Sequence, residues 1–131
     1  AAASMGHDIT LTEYDPDALN FLRANTRINN CNHVPVLHLD WFKPELEGCF
    51  DLIIGSEVVY QDRAVKALGD IFHKFLSPRG KVVLAERVRS TGAVFFEKMA
   101  VRFDIQAKKH TLRSQEKSET VVLFELNPKV A

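Results

Sequence analysis

The chain has 131 residues, of which 46% are hydrophobic and 26% charged, an ordinary composition for a globular protein of about one domain. Seventeen basic residues balance seventeen acidic ones, so no net charge attracts nucleic acid or an anionic membrane. Cys31 and Cys49 lack the spacing of metal ligands, which predicts free thiols in a reducing compartment. No apolar run approaches the roughly 20 residues of a membrane span. The start, AAASMGHD, has no signal-peptide pattern, so we expect a cytoplasmic protein.

Strand and helix patterns alternate along the chain. Asp15 followed by Pro16 is a typical helix start, because the aspartate can cap the helix and proline suits its first position. In chain order, the apolar patterns predict strand 9–13, helix 16–29, strand 34–39, strand 50–54, helix 62–76 closed by the turn 77–80, strand 81–85, helix 93–101, and strands 103–107 and 120–126 around a charged loop. This order predicts a single α/β domain over residues 1–131, with a sheet that is parallel at first and ends in an antiparallel hairpin.

The stretch DLIIGSEVVY places three polar side chains just after a predicted buried strand. Asp51 to Ile54 form the apolar run, and Ser56, Glu57 and Tyr60 follow it. In open α/β sheets the carboxyl ends of the strands are where ligands bind. A hydroxyl, a carboxylate and a phenol at that edge therefore indicate a binding or catalytic site.

Four segments, TLTEYDPDALNFLRANTRIN, LHLDWF, FDLIIGSEVVY and LSPRGKVVLAERV, occur in the order and spacing of a known family. Together they resemble the seven-strand, class I S-adenosylmethionine-dependent methyltransferases. The closest likeness is to the methyltransferase-like 21 branch, whose studied members methylate lysines of proteins. The resemblance runs from about Ala1 to Leu126 and implies a Rossmann-like sheet with a C-terminal antiparallel hairpin.

The resemblance implies five residues that bind S-adenosyl-L-methionine. Glu13, with Tyr14 beside it, matches the acid that accepts hydrogen bonds from the ribose hydroxyls; the alternative is a helix-capping or solvent-facing acid. Asp40 and Trp41 match the position that holds the adenine through a carboxylate and a flat apolar face; the alternative for Trp41 is a core position. Ser56 matches a residue that lines the cofactor pocket. The asparagines of the predicted second element, at 25 and 29, are interpreted as structural.

Catalysis is assigned by the resemblance to Glu57 and Tyr60, which match an Asp-x-x-Tyr motif with glutamate in place of aspartate. A carboxylate there would orient a lysine amine and help it lose its proton. The alternative is that Glu57 is a helix-start acid favoured by the helix dipole. Glu86 and Arg87 could face substrate or pair with neighbouring side chains. The histidines show no ligand spacing, so no metal site is predicted.

The family also carries a first strand and a Gly-x-Gly-x-Gly turn, and the chain contains neither. Residues 1–6 resemble the end of the helix that follows that turn. The absent strand would be central in the sheet, between the strands ending at Glu13 and Ile54, and its absence would expose two inner edges. We therefore expect the chain to belong to a longer protein.

The resulting hypothesis is an S-adenosylmethionine-dependent methyltransferase acting on a protein side chain, with lysine as the preferred acceptor. A protein substrate is the expected partner, and neither nucleic acid nor a membrane is expected. Two alternatives stay open at this point. The first is a small-molecule methyltransferase, because fold does not determine substrate. The second is a non-catalytic Rossmann-like fragment that cannot bind cofactor.

Overall fold

The structure is a computed structural model that describes residues 2–59, 61–87 and 92–130. The chain divides into two compact units, formed by residues 1–46 and residues 47–131. Among the described residues, none of the helices has the length and apolar character needed to cross a bilayer.

The first unit contains a short parallel sheet and one helix. Its elements are a 3₁₀ turn at Ala3–Met5, strand β1 at Leu11–Glu13, helix α1 at Pro16–Ile28 and strand β2 at Val36–His38. Strands β1 and β2 pair in parallel, with Glu13 opposite His38. The predicted parallel pairing is therefore confirmed in this unit, although both strands are shorter than the sequence pattern indicated.

Helix α1 begins at Pro16, as predicted, and ends at Ile28, one residue before the predicted end. The Asp15 side chain accepts hydrogen bonds from the backbone N–H groups of Asp17 and Ala18, both at 2.9 Å, and Pro16 occupies the first turn. At the other end the Asn29 side chain donates to the Asn25 carbonyl at 2.8 Å. The structural interpretation of Asn29 is thus confirmed, and that of the Asn25 side chain stays a prediction.

The second unit is a four-stranded mixed sheet with two helices. Its elements are β3 at Phe50–Ser56, α2 at Asp62–Phe75, β4 at Leu76–Arg87, α3 at Gly92–Met99, β5 at Phe103–Arg113 and β6 at Ser118–Pro128. The strand order is β3-β4-β6-β5, with β3 and β4 parallel and β6 antiparallel to both of its neighbours. The predicted α/β class, parallel at first and ending in an antiparallel hairpin, is confirmed.

Strand β4 starts five residues earlier than predicted. The sequence SPRG reads as a turn, yet Leu76 already pairs with Phe50, and the next pair joins Lys81 to Leu52. The residues between them bulge out of the ladder, which accommodates Pro78 because its position needs no backbone donor. The predicted helix end at residue 76 is likewise wrong by one position, since Leu76 is already extended.

The antiparallel hairpin is longer than the sequence pattern indicated. Strands β5 and β6 pair continuously from Phe103–Pro128 to Arg113–Ser118, so the predicted charged loop shrinks to residues 114–117. Residues 108–113, the second half of β5, are exposed and several are charged. They lack the alternation of apolar and polar residues that predicts a strand. Backbone pairing extends this half of β5, which has no buried residue of its own.

The core of the second unit lies between its sheet and its two helices. Alternate residues of β4 are buried, and α2 buries seven residues along one side. The most deeply buried side chains are Phe95, Phe103, Leu84, Leu126, Val65 and Val82. Val82 and Leu84 thereby pack β4 into the core just before its carboxyl end.

A surface cluster ties helix α2 to the segment that follows α3. The Asp70 carboxylate bonds the Lys66 ammonium at 2.7 Å and the Arg102 guanidinium at 3.1 Å. The hydrogen bonds from Lys66 and Arg102 lower the pKa of Asp70 below its ordinary value. The cluster is solvent-exposed, so its contribution to stability is small.

Candidate active site

Four of the proposed cofactor-binding residues lie at one end of the two-stranded sheet. Because β1 and β2 are parallel, their carboxyl ends meet at the same edge, and the backbone N–H of Leu39 donates to the Glu13 carbonyl at 2.9 Å. Glu13 is the last residue of β1 and Tyr14 follows it, while Asp40 and Trp41 follow β2. The first unit therefore brings these four residues to one edge.

The Glu13 carboxylate is held by the turn that begins helix α1. Its Oε1 atom accepts hydrogen bonds from the backbone N–H groups of Tyr14 at 2.8 Å and Asp15 at 3.1 Å. These bonds orient the carboxylate at the strand tip, where it can accept further hydrogen bonds from hydroxyl groups. Asp15, and not Glu13, caps the helix, so the helix-capping alternative for Glu13 is wrong.

Tyr14 and Trp41 present partly exposed aromatic surface at this edge. Tyr14 is 61% exposed, and its ring centroid lies 5.5 Å from that of His38 in a tilted arrangement. Trp41 is half-buried, and so is Asp40, whose Oδ1 atom accepts a hydrogen bond from the Phe42 N–H at 2.9 Å. Because Trp41 is not buried in the core, its face can contact a ligand.

Ser56 and Glu57 lie at the carboxyl end of β3 in the second unit. Ser56 is the last residue of the strand, is exposed, and pairs with Ala85 of β4. Glu57 follows in a left-handed backbone conformation, with φ of +53°, and its N–H donates to the Ala85 carbonyl at 3.0 Å. A glutamate in this conformation is uncommon and costs about 1–2 kcal/mol, so the surrounding contacts must hold it there.

The Glu57 carboxylate is anchored to the end of β4. Its Oε1 atom accepts a hydrogen bond from the Arg87 backbone N–H at 3.1 Å and lies 3.4 Å from the Arg87 Nε atom. The Arg87 Nε atom also lies 2.9 Å from Oε1 of Glu119, at the start of β6. Helix α2 begins only at Asp62, so the alternative that Glu57 is a helix-start acid is wrong.

Glu86 is a site residue whose role the sequence left open. It is 5% exposed, and its Oε1 atom accepts hydrogen bonds from the backbone N–H groups of Val58 at 2.9 Å and Val59 at 3.2 Å. The sequence does contain the signal that it is buried. Glu86 is two residues after Leu84 and four after Val82 in β4. Every second residue of a strand lies on the same face, so the glutamate shares a face with these two core residues.

Tyr60, the second proposed catalytic residue, lies outside the described residues. The cysteines are unpaired, as predicted. Within the described part of the chain, no group of three or more histidine, cysteine or acidic side chains could hold a metal ion. A cavity of about 410 Å³ lies at the amino end of β4, lined in part by Leu76, Pro78 and Phe103. This is the end opposite Arg87, so the cavity is not part of the candidate site.

The architecture is that of Rossmann-like methyltransferases. A methyltransferase from Pyrococcus furiosus superimposes with a TM-score of 0.72, at 23% identity, over 93% of this chain and 64% of its own. The glycopeptide N-methyltransferase MtfA, solved with S-adenosyl-L-methionine, superimposes with a TM-score of 0.59 at 12% identity, over 96% of this chain and 58% of its own. At these identities the likeness establishes the fold alone.

Sequence comparison then identifies the family. A family model described as lysine methyltransferase matches residues 1–102. The protein N-lysine methyltransferase METTL21A of Xenopus tropicalis is 31% identical over 110 residues, which cover 79% of this chain and 51% of the frog protein. The chain belongs to the lysine methyltransferase family, and it spans about half the length of the curated relatives it matches.

Proposed function

We propose that the full-length protein is an S-adenosylmethionine-dependent methyltransferase that transfers a methyl group to a lysine side chain of a protein. The observation that carries the proposal is the placement of Glu57. In a chain of the lysine methyltransferase family, a carboxylate lies at the carboxyl end of β3 in a backbone conformation that costs free energy. Such strain at a strand tip is typical of a functional residue.

The residues at the edge of the two-stranded sheet fit a nucleoside. Glu13 has a carboxylate oriented by two backbone N–H groups and would accept from the ribose hydroxyls. Asp40 would accept from the exocyclic amine of adenine, while Trp41 and Tyr14 offer exposed aromatic surface to the ring. Ser56, in the second unit, is proposed as a further cofactor-binding residue. When bound, S-adenosylmethionine supplies a methyl group made electrophilic by its sulfonium.

Glu57 would act on the methyl acceptor. A lysine ammonium must lose a proton before its nitrogen can attack, and it must be aligned with the transferring methyl. The Glu57 carboxylate can bond the ammonium, orient its Nζ atom and accept the proton. Its anchoring to Arg87 limits where that carboxylate can point. Tyr60 is proposed as a second group at this position.

We test the proposal with the full-length protein and the variants Glu57→Gln and Glu97→Gln. Glu57→Gln keeps the side-chain shape and removes the charge, and it should lower the transfer rate about 10²–10⁴-fold with cofactor affinity unchanged. Glu97 is an exposed glutamate of α3, and its amide variant should behave as wild type. A Glu57→Gln rate within about threefold of wild type would refute the catalytic assignment.

The acceptor is identified in the same assay. Methyl transfer to candidate proteins is followed by mass spectrometry before and after the substrate lysines are blocked by reductive alkylation. Loss of transfer on blocking supports lysine as the acceptor, whereas transfer to small amines alone would favour the small-molecule alternative. Isothermal titration that detects no binding of S-adenosylmethionine would favour the non-catalytic alternative. We further propose that residues 1–131 belong to one methyltransferase domain and that the protein acts in the cytoplasm.

A further inference from the structure

Glu86 is the charged side chain found in the buried core among the residues that the structure describes. Thr26 is the other polar residue in that buried set. A carboxylate is costly to bury unless hydrogen bonds replace its contacts with water. In Glu86 the same oxygen, Oε1, accepts from two successive backbone N–H groups, those of Val58 and Val59. These partners lie 28 and 27 residues earlier in the chain, so the contact joins β4 to the turn after β3.

Residues 57–59, which we call the β3 turn, are held by three successive residues of β4. The Ala85 carbonyl accepts from the Glu57 N–H, the Glu86 carboxylate accepts from the next two N–H groups, and the Arg87 N–H donates to the Glu57 carboxylate. Gly55 packs beneath the turn, because a Cβ atom there would lie 3.2 Å from both methyl groups of Val58. The turn is therefore fixed from two sides.

An apolar residue at position 86 could not perform this role. The N–H of Val59 is buried, and an unpaired buried donor is strongly unfavourable. Without the Glu86 acceptor, the β3 turn would rearrange so that its donors reach water. The left-handed conformation of Glu57 would then lose part of the support that maintains it.

We propose that Glu86 is a positioning residue for methyl transfer: by holding the β3 turn, it fixes the direction in which the Glu57 carboxylate points. This inference rests on the proposed function, because it assumes that Glu57 acts on the methyl acceptor. Glu86 acts through the backbone of Val58 and Val59 and through Glu57. Misplacement of a reacting group by about 1 Å can lower a rate about 10²-fold.

Two substitutions separate the acceptor oxygen from the charge. Glu86→Gln keeps a carbonyl oxygen that can accept from both N–H groups, whereas Glu86→Ala removes it. Glu125→Ala is the matched control, since Glu125 is a partly exposed glutamate of β6 that forms an ion pair with Lys81. All are made in the full-length protein, and thermal unfolding verifies that each variant is folded before it is assayed.

The first measurement is the hydrogen exchange of the Val58 and Val59 amides, which does not depend on activity. Glu86→Ala should speed their exchange by about tenfold or more, while Glu86→Gln and Glu125→Ala leave it near the wild-type rate. Unchanged exchange in a folded Glu86→Ala variant would show that Glu86 does not hold the turn. That result overturns the inference whatever the activity is.

The second measurement is a double-mutant cycle on the transfer rate. Glu86→Ala should lower kcat about 10–100-fold with little change in cofactor affinity, and Glu86→Gln should restore kcat to within about threefold of wild type. In a Glu57→Gln background, Glu86→Ala should have little further effect, because its action passes through Glu57. If Glu86→Ala lowers kcat by the same factor in the wild-type and Glu57→Gln backgrounds, the positioning role is overturned. A wild-type protein without methyl transfer would overturn the proposed function, and amide exchange would still decide whether Glu86 holds the turn.

Discussion

The left-handed conformation of Glu57 predicts an inverted order of stability for two substitutions at that position. Glu57→Gly and Glu57→Ala both remove the carboxylate and its contacts with Arg87, so those losses cancel when the two variants are compared. Alanine retains the cost of a φ of +53°, about 1–2 kcal/mol, and glycine does not. Glycine also gains freedom in the unfolded chain, which offsets about 0.4–1 kcal/mol of that advantage.

Taking the middle of each range, the balance favours Glu57→Gly over Glu57→Ala by about 0.8 kcal/mol in the free energy of unfolding. The same pair of substitutions at Glu97, an exposed position in α3, should give the opposite order, with alanine more stable by about 1 kcal/mol. Under the proposed function, both variants at position 57 lose activity. Replacing alanine by glycine at this position would then raise stability without restoring activity.

Urea denaturation of the four variants in the full-length protein measures these differences. The comparison requires that the free energy of unfolding falls with urea concentration at the same slope in all four. Equal stability of the two variants at position 57, or greater stability of Glu57→Ala, would refute the reasoning. Either result would mean that Glu57 does not hold a left-handed conformation in solution, and the case for strain at the site would fail.

Three further predictions concern other parts of the chain. Glu13→Ala should weaken S-adenosylmethionine binding about tenfold or more in isothermal titration, whereas Glu45→Ala, an exposed acid in the same unit, should not. Gly80→Ala should cost about 1–3 kcal/mol in urea denaturation, because its Cβ would lie 3.0 Å from the Asp51 carbonyl. Two cations lower the pKa of Asp70 below 3.8, so its contribution to stability is present above about pH 4 and falls away at lower pH. The stability gap between wild type and Asp70→Asn should therefore close on acidification.

Local patterns in the sequence were sufficient for most of the fold. The Asp15-Pro16 pair marks the start of α1 because capping is a short-range interaction. The stripe of α2 and the alternation in β4 likewise follow from burial on one side. Strand β3 forms where predicted, but the prediction that it is buried is wrong, since Leu52 and Ile54 are 50% and 63% exposed. The early start of β4 could not be predicted, because Leu76 joins the ladder through a partner, Phe50, that is remote in the chain.

The site was only partly accessible to sequence reasoning. The positions of Glu13 and Glu57 at strand tips follow from the strand patterns, but the left-handed conformation of Glu57 does not. It depends on backbone contacts with Ala85 and on the Glu86 carboxylate, which lie about 30 residues away along the chain. Glutamate is usually a surface residue, and so its burial in β4 is not expected from its type alone.

Arg87 is shared between two carboxylates, and this arrangement has a consequence for how a cation would enter the site. If a lysine ammonium displaces Arg87 from Glu57, the guanidinium keeps its shorter contact with Glu119, 2.9 Å against 3.4 Å. Neither cation is then left without an anion at any stage of the exchange. Arg87 and Glu119 are 59% and 43% exposed, so water can follow the moving charges and keep the barrier low. Under the proposed function, Glu119 at the start of β6 would thus hold the Arg87 guanidinium while the substrate ammonium contacts the Glu57 carboxylate.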